Sequence, residues 1–158
     1  MSISLAFIGL ALLLAATTAA TAEEQTMNLV FVRNATARLA VANDGSPAAF
    51  YVAPGSDPNL FLVHLEGGWW CSTLQSCSQR WASGQGMSSK NLSATWQTSG
   101  YYSRDCLKNV AWCSATMIRV PYLTSDGYVG DTAPSAALPW HFRGSRVLRA
   151  IFEGPSRS

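Results

Sequence analysis

The sequence predicts an α/β fold in which a mostly parallel sheet carries long loops. Two apolar runs, at 60–65 and 115–120, predict its core strands. The first run has five apolar residues in six without alternation, which is typical of a parallel strand covered on both faces. Residues 141–153 then predict a helix with one apolar face, which requires a sheet to pack on. That face consists of Phe142, Val147, Leu148, Ile151 and Phe152.

Shorter β segments precede the first core strand. Residues 28–32 and 39–41 carry β-forming side chains, and the turn sequence 43–47 leads into a short strand at 49–52. A second turn, rich in Gly and Pro, then separates this strand from the first core strand.

Loops dominate the rest of the chain. Residues 72–104 are polar and serine-rich, so we expect loops with at most one or two short helices. Pro121 ends the second core strand, and 124–139 is a loop broken by Gly and Pro. After the helix only a short polar tail remains, whereas a parallel sheet continues from a crossover helix into another strand. We therefore expect the N-terminal part of an incomplete fold.

The N-terminus predicts export. The first 22 residues carry no Lys, Arg, Asp or Glu, and the apolar run 3–16 has the length of a signal peptide and is too short to span a bilayer. Ala20-Thr21-Ala22 is a cleavage sequence, so we expect a signal peptide at 1–22, a mature domain at 23–158, and a secreted or secretory-lumen protein. A retained membrane anchor is the alternative.

The charge pattern bears on possible partners, and two sequons bear on which residues lie at the surface. The formal net charge is +2, without a run of basic residues, which argues against nucleic acid as a partner. The triplets beginning at Asn34 and Asn91 are glycosylation sequons, and they predict surface positions.

Four cysteines in an exported chain predict two disulfides, for which three pairings exist. Cys71 and Cys77 would close a short loop, and a local pair of Cys106 with Cys113 is geometrically possible. Neither spacing matches the pattern of a zinc site.

Candidate chemistry lies where the first core strand runs into Glu66-Gly67-Gly68-Trp69-Trp70-Cys71. Glycines let main-chain N–H groups approach a ligand closely, as the stabilisation of a developing oxyanion requires. In α/β-hydrolases one such donor follows the third strand, and the other is the residue after the nucleophile. A Gly-Gly pair after a strand is also a common plain turn, so the motif alone is weak.

The partners of such a loop are missing from the sequence. No Gly-x-Ser-x-Gly segment exists, and Ser88 and Ser89 lie in the polar region with Lys90 at the place of the second glycine. We expect His64 to be a core histidine with a satisfied hydrogen bond, and His141 to open the helix at the surface. A Ser-His-Asp triad cannot be assembled from these residues.

Three carboxylates have both a chemical and a structural interpretation. Glu66 could act as an acid or base, but it has no partner carboxylate nearby, and we expect it to accept hydrogen bonds from loop amides. Asp126 and Asp131 hint at cation binding, but they lack the alternation of a calcium loop, so we expect a turn.

With these motifs in place, the chain resembles the pectin acetylesterase/Notum family of secreted carboxylesterases, and Notum-like members most. The resemblance covers 28–152. It is carried by Arg33-Asn34, Asn43-Asp44-Gly45-Ser46-Pro47, Leu65-Glu66-Gly67-Gly68-Trp69-Trp70-Cys71 with Cys77, Met87-Ser88-Ser89, Gly100, Val120-Pro121-Tyr122, Ser125-Asp126 and Phe142-Arg143-Gly144. Ala42 and Leu123 replace two family cysteines, as expected if one disulfide were lost. Cys106 and Cys113 have no family counterpart.

The resemblance implies an incomplete α/β-hydrolase-type fold and an oxyanion hole that uses the backbone N–H groups of Gly68 and Trp69. It implies that Trp70 flanks an acyl pocket, that Cys71 and Cys77 form a family disulfide, and that no metal or organic cofactor is needed. The implied substrate is an acetyl ester of a pectin-like polysaccharide or an acylated protein.

The family nucleophile, acid and base would lie beyond the helix. We therefore expect this chain to be inactive as an esterase because it is truncated. The alternative is a secreted, non-catalytic module that binds carbohydrate or lipid through its six tryptophans.

Overall fold

Five strands form one sheet, in the order β3-β5-β2-β1-β4. The computed structural model describes residues 26–84 and 86–153. The predicted signal peptide therefore lies outside the described residues. The strands are β1 (Thr26–Phe31), β2 (Ala49–Ala53), β3 (Phe61–Leu65), β4 (Thr95–Gln97) and β5 (Thr116–Val120). The helices are α1 (Leu74–Ala82), a 3-10 turn (Gly100–Tyr102) and α2 (Gly144–Phe152).

The sheet is mixed. β3 and β5 are parallel, with His64 opposite Arg119, whereas the pairs β1–β2, β1–β4 and β2–β5 are antiparallel. The α/β class is confirmed, but the expected mostly parallel sheet is not found among the described residues. The parallel pair of β3 and β5 requires a long connection, which residues 66–115 supply.

Hydrophobic clusters lie on the two faces of the sheet. Alternate residues of β5 serve different clusters, with Val120 in one and Met117 in the other. The first cluster packs α2 on the sheet through Val147 and Ala150, and Leu148 and Ile151 lie at its edge. The second cluster packs Tyr102 of the 3-10 turn. The face that the sequence predicts for α2 thus meets its sheet, except for two phenylalanines: Phe142 packs near Cys71, and Phe152 is exposed.

Several predicted boundaries are wrong. Residues 39–41 form no strand: Leu39 ends a turn, and Val41 makes an isolated bridge with Pro47. The three-residue strand β4 falls in the expected loop region. α2 begins at Gly144 and not at His141, because a bridge to Thr132 holds Phe142 extended. His141 is half-buried and does not open a helix at the surface.

β3 differs most from its prediction. It is an edge strand with only half-buried and exposed side chains, although its sequence is typical of a covered strand. Among the described helices, none is long and apolar enough to cross a membrane.

Candidate functional site

The chain leaves the carboxyl end of β3 at Glu66, which is held firmly. Its backbone N–H donates to the carbonyl oxygen of Val120 at 3.0 Å, continuing the pairing with β5. Its carboxylate forms an ion pair with Arg119 and accepts a hydrogen bond from the Tyr122 amide at 3.3 Å. Glu66 accepts from a loop amide as its structural interpretation predicts, and it also neutralises an arginine that the sequence did not connect with it.

The far end of the same loop is fixed at Cys71. Its N–H donates to the carbonyl oxygen of Ser125 at 3.2 Å, and its sulfur forms the predicted disulfide with Cys77 on α1. α1 itself begins with a capping box between Thr73 and Ser76, which satisfies amides that a helix start leaves unpaired. Loop 67–70 is therefore held at both ends, by Glu66 and by Cys71.

Between these points the backbone is open. No residue in the described part of the chain accepts a hydrogen bond from the N–H groups of residues 67–70. All four residues are exposed, and the side chains of Trp69 and Trp70 are 78% and 75% accessible. Because no acceptor of the described chain occupies them, these four consecutive amides of a tethered loop are open to a ligand or to water.

Gly68 is required by packing. A Cβ atom there would lie 2.6 Å from Cδ1 of Tyr122, whereas one at Gly67 would meet nothing within 4 Å. The Tyr122 ring cannot move easily, because its hydroxyl accepts a hydrogen bond from the Gly127 amide at 2.6 Å. It also packs on Tyr128, with 5.1 Å between the ring centroids. The loop approaches the tyrosine so closely only because residue 68 has no side chain.

Tyr128 connects this support to the strands. Its hydroxyl makes a bifurcated hydrogen bond to the carbonyl oxygens of Glu66 at 3.1 Å and Val120 at 3.0 Å. Burial, reinforced by the nearby Glu66 carboxylate, raises the pKa of Tyr128 above its usual range. The pKa of Tyr122 is raised as well, first by burial. Both phenols stay neutral and keep the loop in one position at physiological pH.

The histidines and serines that the sequence singled out do not come together. Nδ1 of His64 is hydrogen-bonded with the Tyr102 hydroxyl, and the Tyr101 hydroxyl lies 3.0 Å from it, so the predicted hydrogen bond is present. The expected core position is wrong, because His64 is half-buried on the edge strand β3. Ser88 donates to Asp44 at 2.9 Å. Within residues 26–84 and 86–153 neither histidine is hydrogen-bonded to a serine.

Burial lowers the pKa of His141, and the neighbouring positive charge of Arg143 lowers it further. Its Nδ1 is buried without a hydrogen-bond partner among the described residues. The ring is therefore neutral at pH 7, and it packs beside Gly45, with 3.3 Å between Nε2 and a Cβ built on that glycine.

Asp126 and Asp131 have structural roles. Asp126 accepts hydrogen bonds from the amides of Gly144 at 2.8 Å and Tyr128 at 3.0 Å, which places its carboxylate at the start of α2. Asp131 lies 2.5 Å from both Arg143 and Arg146. The described residues contain no group of three or more His, Cys, Asp or Glu that could hold a metal ion.

Asn43 is a positioning residue that sequence analysis missed. It is fully buried, and its side-chain amide donates to the carbonyl oxygens of Thr124 at 2.9 Å and His141 at 2.6 Å. Its carbonyl oxygen accepts from the Ser125 hydroxyl at 2.7 Å, and Ser125 in turn holds Cys71. The turn motif at 43–47 predicts the bend, but only the folded chain shows that Asn43 joins three loops beneath the site.

The remaining predicted positions are on the surface. Asn34 and Asn91 are both exposed, as the sequons predict.

The second possible disulfide, Cys106–Cys113, is also formed. Two disulfides are typical of a protein that folds in an oxidising compartment.

Comparisons with known proteins agree with this architecture. A family model for pectinacetylesterases matches residues 20–154. The chain is 34% identical over 110 residues to the inactive palmitoleoyl-protein carboxylesterase notum1b of Danio rerio, covering 69% of the chain and 77% of that relative. It is 33% identical over 130 residues to pectin acetylesterase 11 of Arabidopsis thaliana, covering 79% of the chain and 32% of that relative.

A solved structure matches as well. The structure of the Wnt deacylase Notum from Drosophila superposes with a TM-score of 0.72 at 28% identity, covering 80% of this chain and 37% of that one. The match confirms the α/β-hydrolase-type fold. The chain spans between 17% and 25% of the length of the other palmitoleoyl-protein carboxylesterases that it matches. The family model, the relatives and the fold agree, and the chain belongs to the pectin acetylesterase/Notum family of carboxylesterases.

Proposed function

We propose that this chain forms the N-terminal portion, at 23–158, of a carboxylic ester hydrolase domain and contributes one side of its oxyanion hole. The N–H groups of Gly68 and Trp69 would donate to the oxyanion that develops when an ester carbonyl is attacked. Trp70 would flank the acyl group. The substrate class is an acetyl ester of a pectin-like polysaccharide or an acylated protein, as the names of the relatives suggest.

One observation carries this proposal. The amides of residues 67–70 have no acceptor within the described chain, yet both ends of their loop are fixed by an ion pair and a disulfide. Preorganised donors of this kind stabilise charge without having to reorganise during the reaction. A plain turn would leave the amides solvated but would not require such a rigid support.

The proposal is tested by completing the domain. Residues 26–153 are fused to the portion of Arabidopsis pectin acetylesterase 11 that follows the aligned segment, and turnover of p-nitrophenyl acetate is measured. In the active chimera, Gly68→Ala displaces the donors against Tyr122, and a misplacement of this size costs about 100-fold in kcat. Gly67→Ala is the matched control and should turn over at close to the wild-type rate, since its Cβ meets nothing. Equal rates for the two variants would contradict the proposal.

By itself, the 158-residue chain should not hydrolyse esters. Its sequence contains no Gly-x-Ser-x-Gly segment, and an oxyanion hole without a nucleophile leaves only a small residual rate. The purified chain should neither release p-nitrophenol above background nor become labelled by a serine-directed fluorophosphonate. Turnover that this reagent blocks would contradict the expectation.

A second function has two observations in its favour. Trp69 and Trp70 present wide aromatic surfaces to solvent, and the zebrafish relative that the chain covers to 77% is named as inactive. A non-catalytic secreted module would use these rings to bind carbohydrate or lipid. Binding of pectin to the purified chain that is lost in Trp69→Ala, together with an inactive chimera, would favour this function over the first.

Export is part of the same proposal. A signal peptide at 1–22 would direct the chain to the secretory pathway, where two disulfides form and Asn34 and Asn91 are accessible for glycosylation. N-terminal sequencing of the product released from cells should begin at Glu23, and retention of residue 1 would show that no cleavage occurs.

A further inference from the structure

Arg80 is a buried cation without an anionic partner. Its side chain projects from α1, only 9% of the residue is exposed, and no carboxylate in the described chain forms an ion pair with it. Among the described residues its side chain makes one hydrogen bond, which is long, 3.5 Å from Nη2 to the carbonyl oxygen of Gly86. Nε is shielded from solvent and has no acceptor.

Two further arginines whose side chains are largely shielded from solvent are compensated. Arg119 pairs with Glu66, and Arg143 pairs with Asp131 at 2.5 Å. Besides the long hydrogen bond to Gly86, Arg80 has the ring of Tyr122, whose centroid lies 5.4 Å from its guanidinium carbon. Burial lowers the pKa of Arg80, which reflects the cost of keeping the charge away from water. Of the two arginines that are buried in the described chain, Arg143 pairs with a carboxylate and Arg80 does not.

Arg80 is among the residues that line an open cavity of about 290 Å³ beside the loop that carries the proposed oxyanion donors. Trp69 and Trp70 form one wall. Ser76 and Gln79 of α1, and Ser83 at its C-terminal end, complete the lining. The cavity therefore combines a buried positive charge with two aromatic side chains of the loop whose amides are unpaired.

We propose that Arg80 is a specificity-determining residue that binds the carboxylate of an acidic sugar, a uronate, next to the ester. This inference rests on the proposed function for the position of the ester and adds to it the group that selects the substrate. The guanidinium of an arginine can donate two parallel hydrogen bonds to a carboxylate. The exposed ring of Trp69 can pack against the C–H groups of a sugar ring. A fatty acyl chain in the same cavity would leave the buried charge uncompensated, so the cavity favours a polyuronate ester over an acylated protein.

The test measures binding by the full chain, using isothermal titration calorimetry. The probes are trigalacturonate and its fully methyl-esterified form, which has the same sugar rings without the charges. Wild type should bind the acid roughly tenfold more tightly or better, as expected for a charge-assisted pair. Arg80→Gln should bind both probes equally weakly. Arg33→Gln removes the same charge from an exposed position and should keep the preference.

The ¹H–¹⁵N signal of Arg80 Nε provides a readout that needs no variant. It should shift when trigalacturonate is added and stay in place with the methyl ester, so the proposal remains testable even if Arg80→Gln does not fold. Equal affinities of wild type for the two probes would overturn the proposal. So would an unmoved Nε signal, or an equal loss of preference in Arg33→Gln, which would reflect general charge attraction.

This outcome is separate from that of the chimera. If wild type binds the acid and the methyl ester equally well, the Arg80 proposal is overturned. The proposal for the oxyanion donors is not affected by that result. An inactive chimera whose N-terminal chain still prefers the acid would overturn the proposed function and leave Arg80 as an anion-binding residue.

Discussion

Gly68 and Arg80 lie against the same tyrosine ring, so three residues far apart in the sequence set the position of the exposed loop 67–70. A Cβ on Gly68 would lie 2.6 Å from the Tyr122 ring, and the Arg80 guanidinium is 5.4 Å from its centroid. The ring is itself fixed by the Gly127 amide. Substitutions at these positions should therefore change stability as well as ligand binding.

Gly68→Ala should lower the free energy of unfolding of the chain by about 1–3 kcal/mol, because the new methyl group overpacks the contact with Tyr122. Gly67→Ala should change it by less than about 0.5 kcal/mol, since its Cβ points into open space. Urea unfolding followed by tryptophan fluorescence measures both. A Gly68→Ala variant as stable as Gly67→Ala would show that the loop shifts freely, contrary to the rigid support described above.

Asp131 gives the chain an acid-sensitive contact. Hydrogen bonds from Arg146 and then Arg143 lower the pKa of Asp131 from 3.8 to about 2. A carboxylate with a lowered folded-state pKa contributes stability above its unfolded pKa and loses that contribution as the pH falls through the folded value. Asp131→Asn should therefore lower the melting temperature at pH 5, and the difference from wild type should vanish between pH 4 and pH 2.

Melting curves of the two proteins across that pH range make the measurement. Arg33→Gln, which removes an exposed charge that has no ion pair in the described chain, should run parallel to wild type throughout. A difference between wild type and Asp131→Asn that persists at pH 2 would mean that the aspartate acts through something other than its charge.

At the scale of elements, α2 is started by a neighbouring loop. Its first flanking residue, Arg143, makes no side-chain capping bond. The amide of Gly144 donates to Asp126, and that of Ser145 donates to the carbonyl oxygen of Gly130 at 3.1 Å. A carboxylate at a helix N-terminus is also favoured by the helix dipole. Asp126 thus replaces the missing cap from 18 residues away.

Asp126→Ala should cost about 1–2 kcal/mol of unfolding free energy, as the loss of a helix cap does, and Asp126→Asn should cost less because it keeps an acceptor. Asp57→Ala is the matched control, since among the described residues the Asp57 carboxylate accepts only from the Asn59 amide in an exposed turn. Chemical denaturation of the three variants measures the loss of unfolding free energy. Equal losses in Asp126→Ala and Asp57→Ala would contradict the capping role.

Sequence analysis predicted the elements whose signal is local. β2 and β5 are apolar runs next to turn residues, and both were placed within one residue. β4 has three residues and no periodicity of its own, so it exists only because β1 offers it hydrogen bonds. The start of α2 was missed because a bridge between Thr132 and Phe142, which no local pattern encodes, holds the preceding residues extended.

The candidate site divides in the same way. The strand, the glycines and the Cys71–Cys77 disulfide are close in sequence, and their pattern was sufficient to predict them. The ion pair of Glu66 with Arg119 joins residues 53 positions apart, and the isolation of Arg80 depends on which side chains do not reach it. Such features follow from the packing of distant segments, so they could not be predicted from a single sequence.

For the whole molecule, β3 carries the main conflict between sequence and structure. Its residues are those of a strand covered on both faces, but its side chains are half-buried or exposed, and in the described chain it pairs only with β5 and leaves its other edge open. Phe61 on that edge strand is 53% exposed. An open, apolar edge is a template for pairing with another chain.

We therefore expect the purified chain to self-associate through β3 and Phe61→Lys to raise the monomer fraction, since a lysine on an edge strand opposes pairing. Leu107→Lys is the matched control: Leu107 is 94% exposed but lies in the Cys106–Cys113 loop, away from the sheet. Light scattering after size-exclusion chromatography over a range of concentrations measures the monomer fraction. If both substitutions raise it equally, association reflects general surface hydrophobicity. An effect confined to Phe61→Lys identifies the β3 edge as the contact.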